Sequence, residues 1–432
     1  MNNSLWTNST ALPEFPALQG NTKTDVLIIG GGIAGLLCAY MLSHAGVDCI
    51  LVEADRICSG ITKNTTAKIT SQHGLLYHKL EKRFGRERAG LYLQINEGAL
   101  GEYRRLCQDI DCDFSVQDNI VYSTDPAQLE AEWFTLHNLG FPAEFQNRLP
   151  VPVEHTGGIC FHNQAQFHPL KFLAHIAKEL AIYEHSPVQE LKGTTAIVPG
   201  GEIVAKKIIV ATHFPFLNKH GSYFLKLYQQ RSYVLALENT QPPEGMYIGS
   251  QPNSLSFRSY GDLLLLGGGG HRTGKSGGNW AELRSFTSVH YPDAKIVSQW
   301  ATQDCMTLDG LPYIGQYSAN TPNLYVTTGF NKWGMTNAMA GAIVLRDLLL
   351  GKDTPWAKIF SPSRSILTPQ LAINGWESAG NLLRFSQKRC PHLGCALRWN
   401  PQEHSWDCPC HGSRFAADGK LIDNPATGDL KN

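Results

Sequence analysis

Residues 25–55 read DVLIIGGGIAGLLCAYMLSHAGVDCILVEAD. DVLIIG is a short, fully apolar strand signal, and Gly30-x-Gly32-x-x-Gly35 follows it at once. The glycines open an apolar helical stretch, LLCAYMLSHAG, and CILVE is a second strand signal that closes on Glu53. Strand, glycine turn, helix and strand in this order make a βαβ unit of the dinucleotide-binding kind. The first glycine permits the tight turn, the second lets the backbone approach a pyrophosphate, and the third lets helix and strand pack closely. The helix N-terminus, with the amides of Ile33 and Ala34, faces the phosphates. Glu53 is placed for ribose hydroxyls, and its charge disfavours a 2′-phosphate. The motif alone does not separate NAD from FAD.

Further segments favour a tightly held FAD. Ser59-Gly60 and TKNTT (residues 62–66, with Thr62, Thr65 and Thr66) follow the second strand and offer hydroxyls and backbone amides to phosphate and flavin. AKKIIVATH is a returning strand ending on Ala211 and Thr212, small enough to lie against the dinucleotide, and Val188 precedes it as a further contact. TLDGLPYIG, ending on Gly315, and LYVTTGFNKWGMTNAMAGAIVLRDLLLG give a strand, a turn at Gly329 and a last helix. Gly334, Met335 and Thr336 begin that helix, where free amides and the helix dipole suit the carbonyl edge of a flavin. Each segment alone is an ordinary βα connection; their order is the signal.

The chain has 432 residues, too many for one core, so two or three domains are expected. Lysine plus arginine equals aspartate plus glutamate, 37 each, which removes a general argument for nucleic acid or an acidic membrane surface. The first 24 residues lack an apolar signal core, and no run reaches the roughly 18 apolar residues of a membrane span. Eleven cysteines, mostly without framework spacing, suit a reducing compartment, so a cytoplasmic protein is expected.

Near the C-terminus CPHLGC and CPCHGS supply Cys390-x-His392 and Cys408-x-x-His411. Two thiolates and two imidazoles are the ligand set of a Rieske [2Fe–2S] centre, one iron held by each kind. Zinc takes the same four donors, but a zinc finger groups cysteine with cysteine and histidine with histidine. The mixed pairs favour the cluster over zinc.

HLGC and CPCHGS resemble the Rieske proteins of cytochrome bc complexes. That resemblance implies a disulfide between Cys395 and Cys410, a hydrogen bond from the Ser413 hydroxyl to a cluster sulfide, and a proline-containing cover loop at residues 424–427. Phe415 stands where those proteins carry a tyrosine, which implies a lower potential. Residues 20–350 resemble the D-amino-acid oxidase-like FAD enzymes, which include glycine and sarcosine oxidases. The whole chain resembles FAD-dependent oxidoreductases carrying a C-terminal Rieske module. The implied fold is α/β (α+β overall): a Rossmann-like FAD-binding domain, an antiparallel substrate domain and a truncated all-β Rieske module.

The expected organisation is an N-terminal arm (1–24), an FAD domain in three pieces (25–84, 161–224, 301–352), a substrate domain in two (85–160, 225–300), a linker (353–385) and a cluster module (386–432). NLLRFSQKR leaves almost no base for that module, so it is expected to lean on the flavin half. The resemblance implies hydride transfer from a small amine or amino acid to the flavin, then single electrons through the cluster to an external acceptor protein. Exposed imidazoles of His392 and His411 would form the exit. The alternative is a carrier reduced by NAD(P)H or a protein donor and serving an oxygenase; the single dinucleotide fingerprint argues against it. Lys332 is a candidate charge beside flavin or substrate. Arg258 and His271, with Arg231, Tyr260 and Arg272, are candidates for substrate recognition, since arginine binds carboxylates bidentately. Cys305 precedes TLDGLPYIG much as the flavin-linked cysteine does in monomeric sarcosine oxidase; a covalent link and a plain buried thiol both remain open. Residues 269–276 match a phosphate-loop pattern, but Gly277-Gly278 stands where that loop needs a helix, so a turn is expected.

Overall fold

The computed structural model describes residues 3–218, 220–386 and 388–430. Three sheets organise it. In the first, Thr22–Ile29 lies at the centre, parallel to Gly201–Val210 on one side and to Cys49–Val52 on the other. Leu324–Thr328 and Ile182–Tyr183 extend it in parallel, and Tyr313–Gln316 closes one edge antiparallel. Val26, Leu27 and Ile28 are all buried, because a parallel sheet covered on both faces needs continuous apolar strands. Helix Ile33–Ser43 buries nine residues around its circumference, as an unbroken apolar helix must, and packs against helix Gly334–Leu349.

The second sheet runs in the order Lys295–Thr307, Leu227–Glu238, Leu263–Arg272, Ser256–Tyr260, Met246–Gly249, Ser115–Ser123, Gly157–Gln166, Lys68–Ile69, with Glu144–Gln146 also on Gly157–Gln166. It is antiparallel except where Met246–Gly249 runs parallel to Ser115–Ser123. The third is a four-stranded antiparallel meander: Arg398–Asn400, Ser405–Asp407, Arg414–Ala416 and Leu421–Asp423.

Several expected boundaries shift. Those at residues 160/161 and 300/301 fall inside Gly157–Gln166 and Lys295–Thr307, each one continuous hydrogen-bonded ladder of the second sheet. Residues 353–385 hold helices Ala357–Phe360 and Pro369–Leu383 instead of a plain linker. Thr368 caps the second of these by accepting from the Leu371 amide, with Pro369 at its first position. The N-terminal arm is part of the core: Trp6 is fully buried and donates from Nε1 to Thr65 O at 2.7 Å.

Candidate redox site

The glycine turn after the central strand is built for close approach. Gly30 has φ +112°, and a Cβ there would lie 2.8 Å from Ala211 O and 3.2 Å from Thr212 Cα. A Cβ at Gly35 would overlap the Gly30 carbonyl oxygen. Gly32 caps helix Ile33–Ser43 without a side-chain hydrogen bond of its own. The Ile33 amide is spent on Thr62 Oγ1 (3.0 Å), so Thr62 acts on the helix end itself. Glu53 accepts from Gly31 N at 2.6 Å and from Asp55 N at 3.0 Å, and burial raises its carboxyl above the ordinary range. Ser186 N donates to Glu53 O, bringing the segment with Val188 alongside.

At the second helix end the room is open. Helix Gly334–Leu349 has no side-chain cap, and a Cβ at Gly334 would meet nothing within 4 Å. Gly60 is equally open, and Ser59 is half-buried beside it. Thr336 is committed internally: its Oγ1 donates to Thr70 O (2.9 Å) and lies 2.9 Å from His73 Nε2. Burial pushes that imidazole down to about 3, so it is neutral; Tyr92 OH stands 2.6 Å from its Nδ1 and Trp333 stacks on its face. Tyr103 OH donates to Met335 O. Gly329 (φ +73°) makes the turn before Asn331 and Lys332. Gly315 faces Pro362 on the edge strand, away from the other cofactor candidates. Thr65 Oγ1 accepts from Ala67 N, and Thr66 O accepts from Arg258.

Of the catalytic candidates, only Lys332 keeps a free, exposed side chain; its charge acts on half-buried Asp304, whose carboxyl is raised by desolvation. Arg258 is fully buried and gives Nη1 to Thr66 O and Ala67 O and Nε to Ser259 O, leaving Nη2 without a protein partner. It locks the segment after TKNTT and is not free to clamp a substrate. His271 meets Tyr233 OH (3.0 Å), which donates to Glu403 Oε1 (2.8 Å). Arg231 does clamp a carboxylate, but it is Glu403, which accepts side-on from Nε and Nη2. Tyr260 OH donates to Asp113. Sequence reasoning missed Lys68, which directly follows TKNTTA: burial, and then Arg258, push it down to about 7.

The C-terminal loops bring the four metal-ligand candidates together. The buried Nδ1 atoms of His392 and His411 have no hydrogen-bond partner, and the two rings stand 4.9 Å apart and perpendicular. Burial lowers both imidazoles, to about 4 and about 3, which keeps them neutral as ligands must be. The Cys390 thiol is drawn down to about 7, chiefly by the adjacent Cys408 thiol and then by Ser413. Cys395 and Cys410 form a disulfide beside them. Two neighbouring rings with unpaired buried nitrogens and two adjacent thiols, carried by the same two loops, fit the donor set of a mixed-ligand diiron cluster. Asn218 Oδ1 accepts from His392 Nε2 at 2.9 Å when Nδ1 is the ligand, the usual outer partner of a metal-bound imidazole.

These loops are seated on the rest of the chain. Gln229 Nε2 donates to His411 O (3.0 Å) and Asn424 O (2.9 Å), Gln303 Nε2 to Gly412 O (2.9 Å), and Asn424 to Thr212 O and Phe214 O. Arg272 holds Pro409 O and Cys410 O (both 3.2 Å), and a Cβ at Gly274 would lie 2.7 Å from Pro409 N. The phosphate-loop look-alike is therefore the cradle of the second cluster loop. His411 is covered, 3% exposed with Phe214 and Phe224 against its ring, while His392, also beside Phe214, is half-buried. The expectation of an exposed histidine tip fails for His411, which Phe214, Phe224 and Gln229 close over, and holds in part for His392, which keeps partial exposure.

Residues 25–348 match the model of the FAD dependent oxidoreductase (DAO) family, and residues 365–432 match the Rieske [2Fe-2S] domain. The chain belongs to the DAO family of FAD-dependent oxidoreductases. It binds FAD and, through its C-terminal domain, a [2Fe–2S] cluster, which settles the choice against zinc. Among its relatives is the iron–sulfur protein YhfW of Bacillus subtilis (strain 168), named for a Rieske 2Fe-2S centre; identity is 34% over 99% of this chain and 96% of that protein. Gamma-glutamylputrescine oxidoreductase of Escherichia coli (strain K12) is 24% identical over 78% of this chain and 86% of its own. The crystal structure of glycine oxidase from Geobacillus kaustophilus superposes with TM-score 0.66 at 18% identity, over 80% of this chain and 99% of that one. The Rieske match begins at residue 365, so helix Pro369–Leu383 belongs with the cluster domain.

Proposed function

We propose that the protein oxidises a small amine or amino-acid-like substrate and delivers the electrons singly to an external acceptor protein. Bound FAD supplies hydride acceptance and the cluster supplies one-electron transfer. The observation that carries this reading is a histidine edge turned toward the flavin half: both imidazoles lie against Phe214, two residues beyond Thr212, which lies against Gly30 of the dinucleotide turn. A cluster turned inward in this way suits receipt of electrons from its own chain. The oxidoreductase names of the relatives support the amine class.

The chain's own groups have definable tasks. Gly30, Gly32 and Gly35 admit the dinucleotide, Glu53 meets its ribose, and the uncapped amides at Gly334–Thr336 stabilise charge on the flavin carbonyl edge. Lys332 and Lys68 supply positive charge near the reacting face. The second sheet, with Asp304 and the flavin-facing ends of its strands, forms the substrate side. Cys305 is read as a packed thiol: it lies with Val210, Phe214, Tyr223 and Tyr313, and burial pushes it up to about 12, which opposes the thiolate a covalent link needs.

The test is an anaerobic screen that follows flavin absorbance with amines, amino acids and N-methylated compounds against NADH. Bleaching by a nitrogen compound and not by NADH is expected. Rapid bleaching by NADH alone would replace this reading with the carrier.

A further inference from the structure

The second cluster loop, residues 408–413, is buried throughout, whereas Pro391 and Leu393 of the first are exposed and His392 is half-buried, so the first loop, residues 390–395, is the open side of the cluster for an electron to leave. That side adjoins the C-terminal end of helix Pro369–Leu383. The Ala396 amide donates to Asn381 O (3.0 Å), and the Arg389 guanidinium ties Gly394 O (2.8 Å) to Leu382 O (3.1 Å) and Arg384 O (3.0 Å). The helix end and the cluster loop are therefore one surface. It is strongly apolar for a surface: Trp376 is 82% exposed, Leu383 87% and Phe385 91%. A groove of about 490 Å³ runs between Trp376, Leu383, Arg384 and Arg398.

The charge around it is one-sided. Between residues 384 and 398 the chain carries Arg384, Lys388, Arg389 and Arg398 and no aspartate or glutamate, although the whole chain is neutral. Glu377, the carboxylate lining the groove, is taken by Lys275 at 2.7 Å. Contiguous exposed apolar side chains rimmed by one sign of charge mark an interaction surface for a partner of the opposite sign.

We propose that this face, resting on the electron route inferred above, is the docking site for a small acidic one-electron carrier protein. The carrier's carboxylates would meet Arg384, Lys388 and Arg398, while Phe385, Leu383 and Trp376 exclude water over the loop that bears Cys390. One electron crosses, the cluster being oxidised and the carrier reduced; the same docked complex serves transfer in reverse. A second copy of this chain is disfavoured, since a two-fold contact would set the cationic rims face to face.

The probe is a reduced plant-type ferredoxin, an acidic one-electron carrier, mixed with oxidised holoprotein. Complex formation is read by calorimetry and electron arrival by the cluster absorbance. The expected result is binding at low salt that weakens steeply as salt rises. Arg384→Glu combined with Phe385→Ser should lower the association rate about tenfold or more, in line with steering by surface charge. Flavin content, cluster spectrum and flavin-to-cluster transfer should stay unchanged, since neither side chain touches either site. The proposal is overturned by absence of binding, by a rate the double substitution does not change, by substitution-sensitive binding to phosphatidylglycerol vesicles in place of the carrier, or by a dimer that the substitutions dissolve. A cluster that stays oxidised while the flavin is reduced would instead defeat the intramolecular route, and the ferredoxin assay, which loads its electron from outside, still reads the surface.

Discussion

Replacing Glu403 by glutamine removes the charge that pins the cluster domain to the second sheet. Glu403 accepts from Arg231 on both oxygens, from Tyr233 OH and from Arg414 Nη2 at 2.8 Å, and its side chain is only 8% exposed. Removing one partner of a buried pair costs roughly 3–5 kcal/mol, because the other charge stays buried. Arg414 keeps Asp407 and Asp423, each at 3.0 Å, so Arg231 alone is orphaned, and glutamine still offers one acceptor oxygen. The lower end, about 3 kcal/mol, is therefore expected, a factor of roughly 150 in the docking equilibrium. For a unit of this size it corresponds to a midpoint lower by on the order of 10–20 °C. The assay is thermal unfolding of the holoprotein followed separately by cluster visible circular dichroism and by flavin fluorescence. The cluster transition should fall and separate from the flavin transition, and Glu403→Gln with Arg231→Met should recover most of the loss, since no buried charge is then left alone. A Glu403→Gln cluster transition within about 0.5 kcal/mol of wild type would refute the clamp.

The same carboxylate sets an acid limit. Burial works against its ionisation, but Arg231 and Arg414 outweigh it and hold Glu403 at about 2. A lowered folded pKa stabilises above the unfolded value near 4.5 and is lost as pH falls through about 2; acid titration of the cluster signal should show a loss in that window for wild type and none attributable to it in Glu403→Gln. Gly35→Ala should abolish flavin binding or folding, measured as flavin retained per chain, because its methyl would overlap the Gly30 carbonyl. Gln229→Leu leaves His411 O and Asn424 O unpaired at the flavin–cluster junction. It should cost about 2–6 kcal/mol, at roughly 1–3 for each of the two lost acceptors, in cluster-domain unfolding by denaturant.

What was legible in the sequence is what is local. The βαβ unit announces itself because an apolar strand, three spaced glycines and an apolar helix all lie within residues 25–55, and the cluster ligands because each Cys/His pair sits in one loop. Helix Pro369–Leu383 was equally signalled by Thr368-Pro369, though its surroundings read as linker. That the cluster module leans on the rest of the chain was legible in its short base, but the contacts that seat it were not. Arg231 and Glu403 are 172 residues apart, and an arginine looking for a carboxylate reads the same whether that carboxylate belongs to a substrate or to the chain. Gly269–Ser276 likewise matched a phosphate loop because tight turns that admit a close neighbour need the same glycines; here the neighbour is Pro409. Gln229 and Gln303 carried no pattern at all, since a side-chain amide paired to a distant backbone leaves no periodicity.

On this reading the cluster is filled from within the chain, through the histidine edge that faces the flavin half. Anaerobic rapid-freeze sampling after mixing with a flavin-bleaching substrate, with flavin absorbance and the cluster's electron paramagnetic resonance followed together, tests it. A cluster signal that rises as the flavin is reduced, with no other reductant present, is expected. A flavin fully bleached beside a cluster that stays silent until dithionite is added would contradict it.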